Sequence, residues 1–434
     1  MSTPADRAAS LRKLIAHVRE ALGLDLGFVL WDGSTVPATL PGEALAMVLT
    51  DEGVVAALVR RPNFDTLADL WATARIDLRN GSVADLLARR PAASSREFRK
   101  RLDRWLLARV LVKFLFLPAG GPWPLRDSLH GRTAPSSGSE SENKENVQFH
   151  YDLSNAFYAL FLDPEMVYSC GYFVDWRNDI ATAQRDKLDM TCRKLRLQPG
   201  DTLLDVGCGW GALVCHAAQH YGVSAHGVTL AQQQFDYATE KVARLGLQDR
   251  VTLELRDYST LEGSYDKIAS IGMFEHVGIV NHPAYFATIS RLLRPRGLYL
   301  HHAIVRRAKR NDKMLRNRSR EYQALIRYIF PGAEVDHIGM SIANLEHQGL
   351  EVRDVEGWRE HYHHTCKAWH ERLLANRDAA EREVGSVRTR LWLAYLAACA
   401  YGFEGRSMGI YQTLAVKRER GASGLPPTRA DLYR

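Results

Sequence analysis

Thr202-Leu-Leu-Asp-Val-Gly-Cys-Gly-Trp-Gly-Ala-Leu213 decides how this chain is read. Its apolar start, Thr202 to Val206, predicts a buried strand, and three glycines at alternate positions, Gly207, Gly209 and Gly211, lead from it into a helix. Glycines are needed where the backbone turns sharply and must approach a ligand closely. The amides at the start of the following helix can then face a polar or anionic group. The spacing is not the Gly-x-Gly-x-x-Gly dinucleotide pattern, and no phosphate-binding Lys follows it, which weighs against NAD and ATP and toward S-adenosylmethionine. A tight turn with nothing bound is the plain alternative.

The neighbouring stretches weaken that alternative. Val223 to Val228 predicts a second strand, ending in Thr229-Leu230 with Gln234 on the next helix, where many nucleoside-binding sheets carry an acidic residue for the ribose. Val251 to Leu255 predicts a third, ending at Asp257-Tyr258. Together they outline a pocket with an amide side chain near a ribose, and a carboxylate and an aromatic face near an adenine.

From Gln198 strand and helix alternate. Strands are expected near 202, 223, 251, 267 and 298, with helices such as Ala231–Leu245 and Pro283–Leu293 between them, and the runs Leu350–Val355 and Gly409–Val416 are expected to close one edge. The expected fold is α/β, a seven-stranded doubly wound Rossmann-like sheet of the class I methyltransferase kind, with a smaller N-terminal α+β domain. Ligands of such sheets bind beyond the carboxyl ends of the strands. Lys267–Ile271 ends in Gly272-Met-Phe-Glu-His-Val-Gly278, which sets Glu275 and His276 over the crevice, and Leu298–Leu300 ends in His301-His-Ala-Ile304.

The whole chain sets outer bounds. Its 434 residues, 46% hydrophobic and 25% charged, suffice for two domains, and the net charge of +7 favours an anionic partner, phospholipid headgroups or nucleic acid. Six cysteines with no Cys-x-x-Cys pair and no secretory signal predict a reduced, cytoplasmic chain without disulfides. No run reaches the length of a membrane span; Trp105–Pro118, the best candidate, is short and carries Arg109 and Lys113.

Near the N-terminus a helix is expected over Leu11–Leu22, a strand over Phe28–Trp31 turning at Asp32-Gly33, and a helix over Ala44–Arg60. Arg96–Lys113 then sets seven basic residues against Glu97 and Asp103 and runs into an apolar flank, a pattern suited to a bilayer surface and equally to a core helix with a solvated side. The polar stretch 131–147 reads as a linker, giving domains at 1–130 and 148–434.

Six motifs in one order carry a resemblance: Phe149-His-Tyr-Asp-Leu-Ser-Asn155, Tyr168-Ser-Cys-Gly-Tyr172, Leu204-Asp-Val-Gly-Cys-Gly-Trp-Gly211, Gly227-Val-Thr-Leu230, Gly272–Gly278 and Tyr328-Ile-Phe-Pro-Gly332. From about residue 148 onward the chain resembles the cyclopropane-fatty-acyl-phospholipid synthases and the related mycolic acid cyclopropane synthases. The resemblance implies that the double bond of an acyl chain in a membrane phospholipid attacks the methyl group of S-adenosylmethionine, and that proton loss from the resulting carbocation closes a three-membered ring. It also implies a bound bicarbonate as base, held by Glu275, His302, Tyr362 and the backbone at Cys170 and Ile304. A small oxyanion needs donors of these types, and a carboxyl group beside it can accept its hydrogen.

Cofactor contacts carried over in the same way are Tyr168, Ser169, Asp205 with the turn Gly207, Gly209 and Gly211, then Thr229, Leu230, Gln234, Asp257 and Tyr258. Cys399 falls where the family has a C-terminal cysteine named as an active-site thiol. Methyl transfer to an alkene needs no covalent enzyme intermediate, however, and a Cys on an apolar helix is usually core. Peripheral attachment to the inner face of the membrane is expected, and a homodimer is left open.

One departure bears on the product. Where the family has Leu-His-Thr-Ile-Gly, this chain has His301-His-Ala-Ile-Val305, adding an imidazole beside the base. A hydride shift before proton loss would give a methylene- or methyl-branched chain instead of a ring. His361-x-His363-His364-x-Cys366 offers metal-ligand types, but its spacing fits no closed zinc motif, and no metal is expected. A methyltransferase acting on a small molecule or nucleic acid would leave Tyr328-Ile-Phe-Pro331 unexplained, so nucleic acid is not an expected partner. A non-catalytic lipid carrier is disfavoured because every candidate catalytic position holds a competent residue.

Overall fold

A computed structural model describes residues 2–89, 97, 100–121, 153–311, 329 and 333–433. The expected linker, Phe149–Asp152, most of Tyr328–Gly332 and the basic residues from 313 to 320 lie outside the described residues. One compact unit holds the residues described up to 121 together with Val384–Tyr401; the other holds Leu153–Glu383 and the chain from Gly402.

In the first unit Thr3 caps the helix Pro4–Leu22 by accepting from the Asp6 amide, and Gly23 ends it at φ 60°. Strands β1 (Gly27–Val29), β2 (Thr35–Val36), β3 (Ala46–Leu49) and β4 (Ile76–Arg79) form a sheet in the order β2-β1-β3-β4. The single helix expected over Ala44–Arg60 is therefore corrected. Ala46–Leu49 pairs with β1 and β4, the chain breaks at Thr50-Asp51, and only Glu52–Arg60 is helical. Four apolar residues are too few to reveal a period, and the strands on either side take their backbone hydrogen bonds.

Val384–Tyr401, within the span drawn as the second domain, is tied into this first unit by one arginine. Arg390 donates to the carbonyls of Trp71 and Ile76 and to Asp77 at 2.7–3.1 Å, and its guanidinium lies 4.1 Å from the Trp71 ring centroid.

The second unit is built on seven strands: β5 (Thr202–Val206), β6 (Ser224–Thr229), β7 (Val251–Leu255), β8 (Tyr265–Ile271), β9 (Leu293–Arg306), β10 (Leu350–Gly357) and β11 (Met408–Lys417). Their order is β10-β11-β9-β8-β5-β6-β7, with β5 to β9 parallel and β11 antiparallel to both its neighbours. The run at Gly409–Val416 thus enters the sheet, and β10 alone closes that edge. Leu203, Leu204 and Val206 of β5 are fully buried because helices cover both faces. Leu188, Cys192 and Leu213 pack on one face, and Phe286, Ile289 and Leu345 on the other. Strand order reverses between β5 and β8, the point where such sheets open a crevice.

Candidate active site

The turn after β5 holds Gly207, Gly209 and Gly211 at φ +84°, +54° and +78°, conformations that side chains rarely adopt. Their surroundings differ. A Cβ on Gly207 would lie 2.8 Å from Met273 and one on Gly211 3.0 Å from Ala238, so close packing excludes side chains there. A Cβ on Gly209 would meet nothing within 4 Å, because that position faces the open pocket. Trp210 fixes the turn by donating to Asn155 Oδ1 at 2.7 Å, and Asn155 donates in turn to the Gln233 carbonyl.

Ten of the eleven expected cofactor residues line one pocket at the strand ends: Tyr168, Ser169, Asp205, Gly207, Gly209, Thr229, Leu230, Gln234, Asp257 and Tyr258. Gly211 does not line it; it caps the helix Ala212–Tyr221. Thr229 Oγ1 donates to Gln234 Oε1 at 3.0 Å, fixing the amide that stands where an acidic residue would otherwise lie. Asp257, buried, accepts from the Ser259 amide at 2.8 Å.

Lys187 and Arg256 also line the pocket, and the sequence reading did not single them out. Lys187 Nζ donates to Ser169 Oγ at 3.1 Å. Burial pulls this amine down to about 8 and pushes the Asp205 carboxyl up to about 7, each partly offset by the opposite charge of the other. A signal was present: Gln184, Lys187, Thr191 and Lys194 recur at helical spacing, and all four are buried on the helix Ile180–Lys194.

The expected base residues do not line this pocket, and two of them, Glu275 and Ile304, are joined directly. Glu275, in a short 3-10 turn after β8, accepts from the Ile304 amide on β9 at 2.7 Å through Oε1, while Oε2 is buried with no hydrogen-bond partner among the described residues. Burial pushes this carboxyl up to about 7. The Tyr362 phenol is raised well above its usual value, first by burial and then by Cys366, Tyr168, Cys170 and Glu275. His302 is fully buried, held far below its ordinary pKa by burial and then by nearby cations, and its Nε2 has no partner among the described residues. An orphaned carboxylate oxygen and an orphaned imidazole nitrogen suit a small oxyanion carrying one hydrogen.

The second-unit sheet matches those of known enzymes. Residues 138–413 match the mycolic acid cyclopropane synthetase family. The chain belongs to that family. Among its relatives is a probable fatty acid methyltransferase of Pseudomonas putida, 36% identical over 96% of this chain and 98% of that one. The cyclopropane-fatty-acyl-phospholipid synthase of Escherichia coli K12 is 37% identical over 61% of this chain and 66% of that one. In the solved structures, the cyclopropane synthase MmaA2 of Mycobacterium tuberculosis aligns with a TM-score of 0.60 at 31% identity, covering 63% of this chain and 98% of that one. The mycolic acid cyclopropane synthase CmaA1, complexed with SAH and CTAB, aligns with a TM-score of 0.59 at 34% identity over the same shares. The chain is an S-adenosylmethionine-dependent methyltransferase of this family.

The extra imidazole, His301, expected beside the base, does not share the face of His302. Side chains alternate along a strand, so His301 points to the face opposite His302. It packs edge-on to Phe274 at 4.6 Å and pairs through Nδ1 with the Tyr299 hydroxyl at 3.0 Å. His364 stacks on Trp176 at 4.6 Å and His361 packs tilted against it at 4.9 Å, and His361 Nδ1 accepts from the Phe173 amide. Cys399 lies on the helix Ser386–Glu404 in the part assigned to the first unit, and burial pushes its thiol up to about 12, away from the thiolate a nucleophile requires.

Proposed function

We propose that this enzyme adds the methylene carbon of S-adenosylmethionine across the double bond of an unsaturated acyl chain in membrane phospholipid, forming a cyclopropane fatty acid, with bicarbonate as the base. When bound, S-adenosylmethionine supplies an electrophilic methyl group and bicarbonate supplies an oxyanion that takes a proton. The carrying observation is the pairing of Glu275 with the Ile304 amide, which leaves one buried carboxylate oxygen with no hydrogen-bond partner among the described residues. Glu275, with its raised pKa, can hold the anion's hydrogen; Tyr362 and His302 can donate to its oxygens. Asp205, Gln234 and Asp257 orient the nucleoside, and the apolar walls exclude water that would quench a carbocation.

The first unit supports attachment to a bilayer. On and after the helix Arg104–Leu111, Trp105, Val112 and Phe116 are 84%, 56% and 88% exposed among Arg104, Arg109 and Lys113. Phe114, in the apolar flank that follows the basic run, belongs to the core, packed edge-on to Trp31. No helix among the described residues is long and apolar enough to cross a membrane. An interfacial Trp and Phe with basic neighbours suit the headgroup boundary of the inner leaflet.

A second reading, a methylene- or methyl-branched product, has one observation in its favour: the Pseudomonas putida relative aligned along nearly its whole length is named a probable fatty acid methyltransferase. Incubation with labelled S-adenosylmethionine and unsaturated phospholipid vesicles tests both. A gain of one CH2 with ring protons in the NMR spectrum supports cyclopropanation, vinyl or methyl-branch signals support the second reading, and no label in lipid overturns both.

A further inference from the structure

Among the described residues the His302 imidazole makes one hydrogen bond, to a side chain whose orientation is set from elsewhere. Gln412 on β11 stands directly opposite His302 on β9, and its Nε2 lies 2.9 Å from His302 Nδ1. Its other end, Oε1, accepts from Lys194 Nζ at 2.7 Å. Lys194 also donates to Glu356, and its Nζ lies 5.1 Å from the centroid of the Trp358 ring. Lys194, Gln412 and His302 are each no more than 1% exposed, so water does not compete for these bonds.

The donor inventory then leaves one arrangement. An ammonium paired with a carboxylate has only donors, so the atom of Gln412 facing Lys194 must be the carbonyl oxygen. The amide NH2 therefore faces His302, and Nδ1 must accept. A flipped amide would set NH2 against NH3+ and leave two donors opposed in a dry interior, at the full cost of an unsatisfied buried group. The proton of the imidazole consequently sits on Nε2, the nitrogen with no partner among the described residues.

We propose that Lys194 and Gln412 are positioning residues that lock His302 as the Nε2–H tautomer, so that it presents a hydrogen-bond donor and cannot serve as the proton acceptor. This rests on the reading that His302 faces the bicarbonate. It divides the labour within the site: His302 donates to the anion, and the proton leaving the substrate must go elsewhere. Glu356, the partner of Lys194, holds the far end of the chain in place.

Nitrogen-15 NMR of protein labelled at histidine, with the His302 signals assigned by their loss in His302→Asn, reads the tautomer directly. The expected result is a pyrrole-type Nε2 and a pyridine-type Nδ1 in the wild type. In Gln412→Glu a carboxylate accepts from both Lys194 and His302, so the two signals should exchange character and bicarbonate affinity should fall about a hundredfold, while S-adenosylmethionine affinity stays within about twofold. Lys194→Met frees the amide to rotate and should give a mixture of tautomers, which provides a second test if Gln412→Glu does not fold. A wild-type spectrum with Nδ1–H, or an unchanged tautomer in the folded variants, overturns the proposal. If the tautomer exchanges as expected but bicarbonate never perturbs the His302 signals of the wild type, the anion assignment falls and the lock stands.

Discussion

Ile304 donates its backbone amide to Glu275 Oε1 at 2.7 Å, joining the segment after β8 to the end of β9. The bond orients a carboxyl group that burial would otherwise leave without a partner. Glu275 is not among the residues lining the nucleoside pocket. Glu275→Gln is therefore expected to bind S-adenosylmethionine with unchanged affinity by calorimetry and to lose turnover on the order of a hundredfold. Full activity in this variant would remove Glu275 from the chemistry.

The same residue gives a pH signature. Burial raises its pKa from 4.5 to about 7, so the folded state keeps a proton that the unfolded chain releases in that interval. The stability this contributes is present below about pH 4.5 and is lost as pH rises through about 7. Glutamine has no such proton, so the melting temperature of Glu275→Gln relative to wild type should climb between those two values in bicarbonate-free buffer. A constant difference across the interval would show that Glu275 does not titrate there.

Gly209→Val should abolish S-adenosylmethionine binding, since Gly209 combines φ +54° with open space on the pocket side. Gly246 has φ +65° and equally open surroundings but ends a helix away from the pocket. Gly246→Val is thus the strain control, expected to lower the melting temperature while leaving cofactor affinity intact. Equal affinity losses in the two variants would assign the effect to backbone strain alone.

Asn155 connects the glycine turn to the start of the helix Gln232–Arg244. Removing its amide in Asn155→Ala should cost about 1 kcal/mol of orientation at the turn, read as a roughly fivefold weaker S-adenosylmethionine affinity with little change in turnover at saturation. Unchanged affinity would mean that the turn holds its shape without this bond.

Trp105→Ser combined with Phe116→Ser should reduce sedimentation with anionic vesicles at any ionic strength, because it removes apolar insertion. A second basic run follows β9, so replacing its Arg307, Lys309 and Arg310 with Gln should reduce sedimentation chiefly at low salt, where charge attraction is least screened. Arg306 is left unchanged, since it bonds the Val335 carbonyl at 3.0 Å and is part of the fold. Binding indifferent to both sets would place the lipid contact elsewhere.

The sequence by itself determined the sheet and the set of residues that line the pocket at its strand ends, because both are local in the chain. Strand and helix periods set the seven strands, and residues at the strand ends, such as Thr229-Leu230 and Asp257-Tyr258, line one pocket. Of the candidate base residues, Glu275 stands in one of the six motifs, whereas His302 and Tyr362 come only from the family resemblance. Only tertiary structure decided how those groups are oriented. His301 and His302 are adjacent in sequence, yet strand alternation sends one into the Phe274 core and the other toward Gln412. Lys194 and Gln412 meet over a separation of 218 residues, and the direction of a buried hydrogen bond depends on the partner at its far end. Ala46–Leu49 became a strand, and Val384–Tyr401 joined the first unit, for the same reason: the pairing strand and the Arg390 acceptors exist only once the chain has folded.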